Sequence, residues 1–182
     1  MKVTILYSEL AEYTLACLKE LASKGVSIQL FHWPINPEAP FDFDLAFCTQ
    51  SISRETVELI DLLQMVADFE PNLLMCSGWM DKDYVKVCSH WYGEVPTVLT
   101  MDNHWSGSFK QNLARLVSPF TLRKAFSNAF VPGEVQKRYA LKLGFKDGEI
   151  RTGFYTADTD KFLDYYNKRI TTEKDQRKLR FL

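Results

Sequence analysis

Three loops in this sequence gather side chains able to do chemistry. The run Asp102-Asn103-His104-Trp105-Ser106-Gly107 sets a carboxylate, an amide, an imidazole and an indole ahead of a glycine. Such groups can hydrogen-bond sugar hydroxyls while the indole covers a ring face, and binding residues concentrate in loops. The competing reading is scaffolding, with Asp102 and Asn103 closing turns through their own backbone. In Ser77-Gly78-Trp79-Met80-Asp81, Gly78 leaves room for close approach to the backbone and Asp81 is placed to cap a helix. Trp79 is either a stacking platform or an indole packed on the core. Ser8 and Glu9 occupy the third loop.

Other chemistries are excluded by what these loops lack. A dinucleotide site needs glycines in the first loop so that the backbone can approach a pyrophosphate. Ser8-Glu9-Leu10-Ala11-Glu12 has none, and Glu9 would repel the phosphates. Ser77, Asp102 and His104 follow the chain order of an α/β-hydrolase triad, but Met75 and Trp79 stand where the nucleophile elbow needs glycine. Asp102 and His104 are also too close in sequence to serve as orienter and base. Cys88 and His90 have no second ligand pair, and His32 and His104 are isolated, so no metal site is expected. The four cysteines form no CxxC, as fits a reduced, cytoplasmic protein.

The chain has 182 residues, 46% of them hydrophobic and 25% charged, enough for one domain with a real core. Its net charge of -1 conceals an uneven distribution: residues 168–180 hold six basic and two acidic residues, leaving the body acidic. An acidic body argues against nucleic-acid binding. No apolar run reaches the ~20 residues of a membrane span, and the start lacks the form of a signal peptide.

The elements that must position these loops alternate. Strands are expected at Val3–Tyr7, Val26–Phe31, Asp44–Cys48, Asn72–Cys76, Val95–Met101 and Asn128–Val131. Between them lie helical patterns: Ala11, Leu15, Leu18 and Ala22 up to Gly25; residues 54–69 with Val57, Ile60, Leu63 and Ala67 on one face, ended by Pro71; and helices from about Asp81, Phe109 and Pro132-Gly133-Glu134. This rhythm predicts an α/β fold, a doubly wound and mostly parallel Rossmann-like sheet with helices on both faces. Ligands in such sheets collect at the carboxyl ends of the strands, which is where the three loops fall.

From Pro96 onward, "PTVLTMDNHW", "AFVPGEVQKRYALKLGF" and "TGFYTADTDKF" resemble, in order and spacing, the amino-terminal half of group 1 (family four) glycosyltransferases. The resemblance covers roughly residues 70–162, and the βα rhythm agrees from Met1. It implies the amino-terminal half of a GT-B fold, two Rossmann-like domains facing a cleft, with the acceptor held by this half and the nucleotide-sugar by the other. It also implies sugar transfer with retention of configuration. The acceptor would be a sugar, glycan or glycolipid, and no cofactor would reside in this half. On that reading residues 1–165 form the acceptor-side domain and 166–182 a basic linker opening a second domain that the chain lacks, so the fragment alone should be inactive. Glu12 and Glu20 have the spacing of the family's acidic E-x7-E motif, but they fall on the first helix and are a coincidence of a solvated face. The family's His aligns with Asp102, with His104 two residues beyond, so the catalytic role falls to one of these two. Ser8, Glu9, Ser77, Gly78, Trp79, Asn103 and Trp105 would bind acceptor. Ala157 replaces a family glycine, whereas Asp158, Asp160 and Phe162 keep the pattern. The alternative function is a stand-alone carbohydrate or small-ligand binding module. A third reading is membrane contact through Lys110, Arg115, Arg123 and Lys124 around Phe120 and Phe126.

Overall fold

Short runs of β-branched and aromatic residues, each followed by a helical period, pair side by side in a computed structural model that describes residues 1–34, 43–157, 159 and 162–169. The strands are β1 (Lys2–Tyr7), β2 (Ser27–His32), β3 (Gln50–Ser53), β4 (Leu73–Ser77), β5 (Thr97–Thr100), β6 (Asn128–Val131) and β7 (Ile150–Thr152). All pair in parallel, in the order β3-β2-β1-β4-β5-β6-β7. The chain therefore winds outward from β1 in one direction, returns, and winds outward from β4 in the other. The sheet has its topological switch between β1 and β4, as a doubly wound Rossmann-like fold requires.

The helices are α1 (Glu12–Ser23), α2 (Leu59–Phe69), α3 (Lys82–His90), α4 (Phe109–Val117), α5 (Leu122–Ala125) and α6 (Glu134–Lys142). Strand side chains alternate between two cores. On one face Val3, Ile5, Ile28 and Leu30 meet Leu15 and Leu18 of α1. On the other, Leu6, Phe31, Leu74, Leu99 and Ala129 meet Leu62 and Val66 of α2, Tyr84 and Val87 of α3, Leu122 of α5 and Tyr139 of α6. The strands at the centre are buried on both faces, so they read as near-continuous apolar runs. Gly25 follows α1 at φ 81°, a left-handed position that glycine adopts without a Cβ penalty.

Two expectations are corrected. Asp44–Cys48 is not a strand: Phe43, Leu45, Phe47 and Cys48 pack from a loop onto the α1-side core. The third strand is instead the polar Gln50–Ser53, recruited by the buried side chains of Thr4 and Gln29. Thr4 Oγ1 donates to Gln29 Oε1 at 2.8 Å, and Gln29 Nε2 donates to Gln50 Oε1 at 2.7 Å and to the Met65 carbonyl at 3.0 Å. Leaving Gln29 buried without these partners would cost several kcal/mol, roughly 1–3 for each unpaired group, so its amide fixes which segment becomes the edge. Second, α2 begins at Leu59 because Arg54–Thr56 forms a 3-10 turn and Val57 is extended. Val57 is buried but does not share the helix phase. The buried face is Leu62, Val66 and Phe69, while Ile60 is 80% exposed.

β7, only three residues long, escaped the periodicity altogether. The expected linker and orphan strand fall mostly on residues 170–182, and Asp158 and Asp160 on 158 and 160; these lie outside the described residues. A helical run over 162–169 closes the described chain. No helix among the described residues is long and apolar enough to cross a membrane.

Candidate functional site

The loops leaving β1, β4 and β5 meet at the switch point. Ser8 N–H donates to Ser77 Oγ at 2.8 Å, tying the first loop to the second. Gly78, at φ 68°, turns the chain beyond β4, and its N–H donates to the Thr100 carbonyl of β5 at 2.8 Å. Nothing lies within 4 Å of where a Gly78 Cβ would stand, so glycine serves the turn here rather than a packing need. A cleft of about 420 Å³ opens over these loops, lined by Ser8, Glu9, Tyr13, Ser77, Gly78, Asp102, Asn103 and Tyr155.

Of the sequence candidates, Ser8, Glu9, Ser77, Gly78, Asp102 and Asn103 thus share one cleft. Trp79 and Trp105 do not line it. Both indoles turn toward the α6 side of the sheet and pack on buried Tyr139, with ring centroids 6.3 and 5.5 Å away. Lys142 sits over the Trp105 ring at 4.9 Å. Trp105 goes there because Gln111 of α4 holds its loop: Gln111 Oε1 accepts from Ser106 N–H at 2.7 Å and Gly107 N–H at 3.1 Å, and Gln111 Nε2 donates to the His104 carbonyl at 2.7 Å. The His104 side chain is exposed on the same loop and is not among the residues lining the cleft.

Two tyrosines complete the cleft without having been singled out in the sequence. Tyr155 Oη donates to Asp102 Oδ2 at 3.1 Å, across 53 positions of chain. Its ring stacks edge-on against Tyr13 of α1 at 4.6 Å. Burial raises the Tyr155 phenol well above the usual range, and the adjacent Asp102 carboxylate adds to the shift. The phenol therefore stays protonated and keeps donating to Asp102. Asp102 Oδ1 has no hydrogen-bond partner among the described residues. Tyr155 lies in the quoted run TGFYTADTDKF, just after β7, the strand that periodicity missed.

Asp81 does cap α3. Its Oδ1 accepts from Asp83 N–H at 2.9 Å and Tyr84 N–H at 3.1 Å. Oδ2 accepts from Trp33 Nε1 at 3.0 Å and faces the largely buried Arg54 at 3.6 Å. Arg54 also binds Asp83 at 2.7 Å. This network ties the loops after β2, β3 and β4 together. Among the described residues no group of three or more His, Cys, Asp or Glu side chains is placed to hold a metal ion. A larger groove of about 680 Å³ runs beside α1, over Met75, Phe130 and Phe154, but it is mostly apolar and lacks the convergent polar groups of the switch-point cleft.

No family model matches the sequence, and no curated protein matches it significantly. Solved structures do. A UDP-GlcNAc 2-epimerase from Neisseria meningitidis bound to UDP-GlcNAc superposes with a TM-score of 0.62 at 16% identity, over 97% of this chain and 52% of its own. An S. aureus MnaA–UDP co-structure gives 0.53 at 10% identity, over 83% of this chain and 44% of its own. The UDP-GlcNAc 2-epimerase from Methanocaldococcus jannaschii gives 0.51 at 16% identity, over 84% and 45%. The chain spans about half the length of the solved structures it matches. At this identity the likeness concerns the fold alone: the chain has the seven-stranded, parallel Rossmann-like fold found in half of these sugar-nucleotide enzymes.

Proposed function

We propose that this chain is the acceptor-side half of an enzyme acting on a nucleotide-sugar, and that its reaction is glycosyl transfer. The observation that carries the reading is the switch-point cleft, where the Tyr155-held carboxylate of Asp102 stands with Glu9, Ser8, Ser77 and Asn103. Short polar side chains and two carboxylates suit sugar hydroxyls, which accept and donate hydrogen bonds at once. In the transfer, the bond from the anomeric carbon to the diphosphate breaks as a bond to the acceptor oxygen forms. The acceptor proton must leave, and Asp102 is the group placed to accept it. His104 is the alternative, as the imidazole on the same loop. The remaining demand, stabilising the departing diphosphate, calls for cations or amide hydrogens. Among the described residues no cation lines the cleft, and the carboxylates of Glu9 and Asp102 oppose a diphosphate there, so we assign the nucleotide to a second domain facing this one.

A second reading is epimerisation of a nucleotide-sugar, favoured by the likeness to UDP-GlcNAc 2-epimerases. A third is a carbohydrate-binding module without catalysis. Saturation-transfer NMR of the chain with UDP-GlcNAc tests the one thing all three share, recognition of a sugar by the switch-point cleft. The expected result is saturation on the sugar protons rather than the uracil, weakened by Asp102→Asn and Tyr155→Phe. Saturation centred on the uracil, or indifference to both substitutions, refutes the assignment. Turnover by the 182-residue chain alone would refute the two-domain reading. With the second domain present, release of UDP marks transfer, and an isomeric UDP-sugar marks epimerisation.

A further inference from the structure

The helix α4 (Phe109–Val117) buries none of its residues. Phe109, Leu113 and Leu116, with Phe120 in the 3-10 turn that follows, are 83, 51, 70 and 73% exposed. At about 100° per residue Phe109, Leu113 and Leu116 fall in a single sector about 60° wide. Lys110 lies to one side of that sector and Arg115 to the other, both exposed, and Lys124 is exposed on α5. None of these three cations has an ion pair among the described residues. The sequence contains no Asp or Glu between Asp102 and Glu134, so no carboxylate of the segment opposes them. Behind the stripe, Trp79, Val85, Ala114, Val117 and Leu122 line an apolar cleft of about 350 Å³, with the Lys82 side chain at its wall.

We propose that this face docks on the surface of an anionic lipid bilayer. A Phe/Leu stripe flanked by Lys and Arg is the composition of a helix lying in the membrane interface, apolar residues at the acyl boundary and cations at the headgroups. A second copy of the chain is the less favourable occupant. A two-fold pairing sets the same patch against itself, and here that would oppose like cations with no acid to answer them. The membrane face differs from the one expected from sequence in two residues. Phe126 is fully buried, and Arg123 is tied to Glu149 at 2.8 Å with its guanidinium 4.3 Å from the Phe145 ring centre. Neither can reach a bilayer. Phe109, Leu113 and Leu116 take their place. The proposal stands apart from the nucleotide-sugar reading, since it uses none of the residues that line the switch-point cleft.

The test is co-sedimentation of the chain with vesicles of phosphatidylcholine, alone or mixed with phosphatidylglycerol. The chain is expected to partition onto the mixed vesicles and to release at high salt. Lys110→Ala and Arg115→Ala should each lower the partition about fivefold and together about twenty-five-fold. Leu116→Glu with Phe120→Glu should abolish it, with circular dichroism and Tm unchanged because these side chains are largely in solvent. Failure to bind the anionic vesicles overturns the proposal. So does binding that survives Leu116→Glu with Phe120→Glu, or a dimer that this pair dissolves while vesicles are ignored.

Discussion

Asp81→Ala probes the network that joins Trp33, Arg54 and the start of α3. The substitution removes the cap on α3, worth about 1 kcal/mol. It also removes the acceptor for Trp33 Nε1, a bond to a charged group worth about 1.5–3 kcal/mol when well shielded. Trp33 is partly exposed, which places that contribution at the lower end. Arg54 keeps its 2.7 Å bond to Asp83, so its charge is not left bare, although its second carboxylate is gone. The expected loss is therefore about 3 kcal/mol. For a chain of this size that is a fall of roughly 6–12 °C in Tm. Asp81→Asn keeps Oδ1 for the cap but turns the acceptor for Trp33 Nε1 into an amide donor, so it should fall by about two thirds as much. Thermal and urea melts of both variants, with Arg54→Met and the double variant, separate the contributions. Because Arg54 and Asp81 act on each other, the double variant should be less destabilised than the sum of the singles. A loss for Asp81→Ala no larger than that for Asp81→Asn would refute the account, since the cap, the one interaction that only the Asn variant keeps, would then contribute nothing.

Two further outcomes follow from the core. Burial pushes the Tyr7 phenol from 10.0 up to about 12, with Thr14 and Thr100 hydroxyls partly opposing the shift. Its folded pKa is thus raised, so its contribution is complete below about pH 10 and is lost as pH rises through 12, roughly 3 kcal/mol in all. Urea midpoints measured against pH should drop steeply there, and Tyr7→Phe should flatten the drop. Leu99, fully buried at the centre of the sheet, should cost about 2–5 kcal/mol on replacement by Ala, read from the shift in urea midpoint at constant slope. A changed slope would instead mean that two-state unfolding had been lost.

Much of the fold was legible locally. Six strand positions were read from short apolar runs, and five of them hold to within about two residues, a scatter usual at element ends. The start of α3 at Asp81 follows from capping chemistry that acts within one turn, and α6 begins directly after Pro132-Gly133 as read, though without a side-chain cap. Less legible was anything decided by a partner far along the chain. A polar strand, Gln50–Ser53, looks like a loop until Gln29 is known to be buried beside it. The apolar Asp44–Cys48 looks like a strand because burial in a loop and burial in a sheet leave the same composition. The face of α2 was misread because Val57, though buried, lies outside the helix, so the period was counted from the wrong phase.

The candidate site divides along the same line. The sequence by itself determined which loops leave the carboxyl ends of the strands, and so put Ser8, Glu9, Ser77, Gly78, Asp102 and Asn103 in one neighbourhood, because strand parity and parallel winding are local rules repeated. Only the tertiary structure decided the rest. It brought Tyr155 to Asp102, turned both indoles onto Tyr139, and left α4 bare on its apolar side. These outcomes depend on contacts between residues tens of positions apart, and the direction of a side chain at a loop is set by whatever packs against it rather than by its neighbours in the chain.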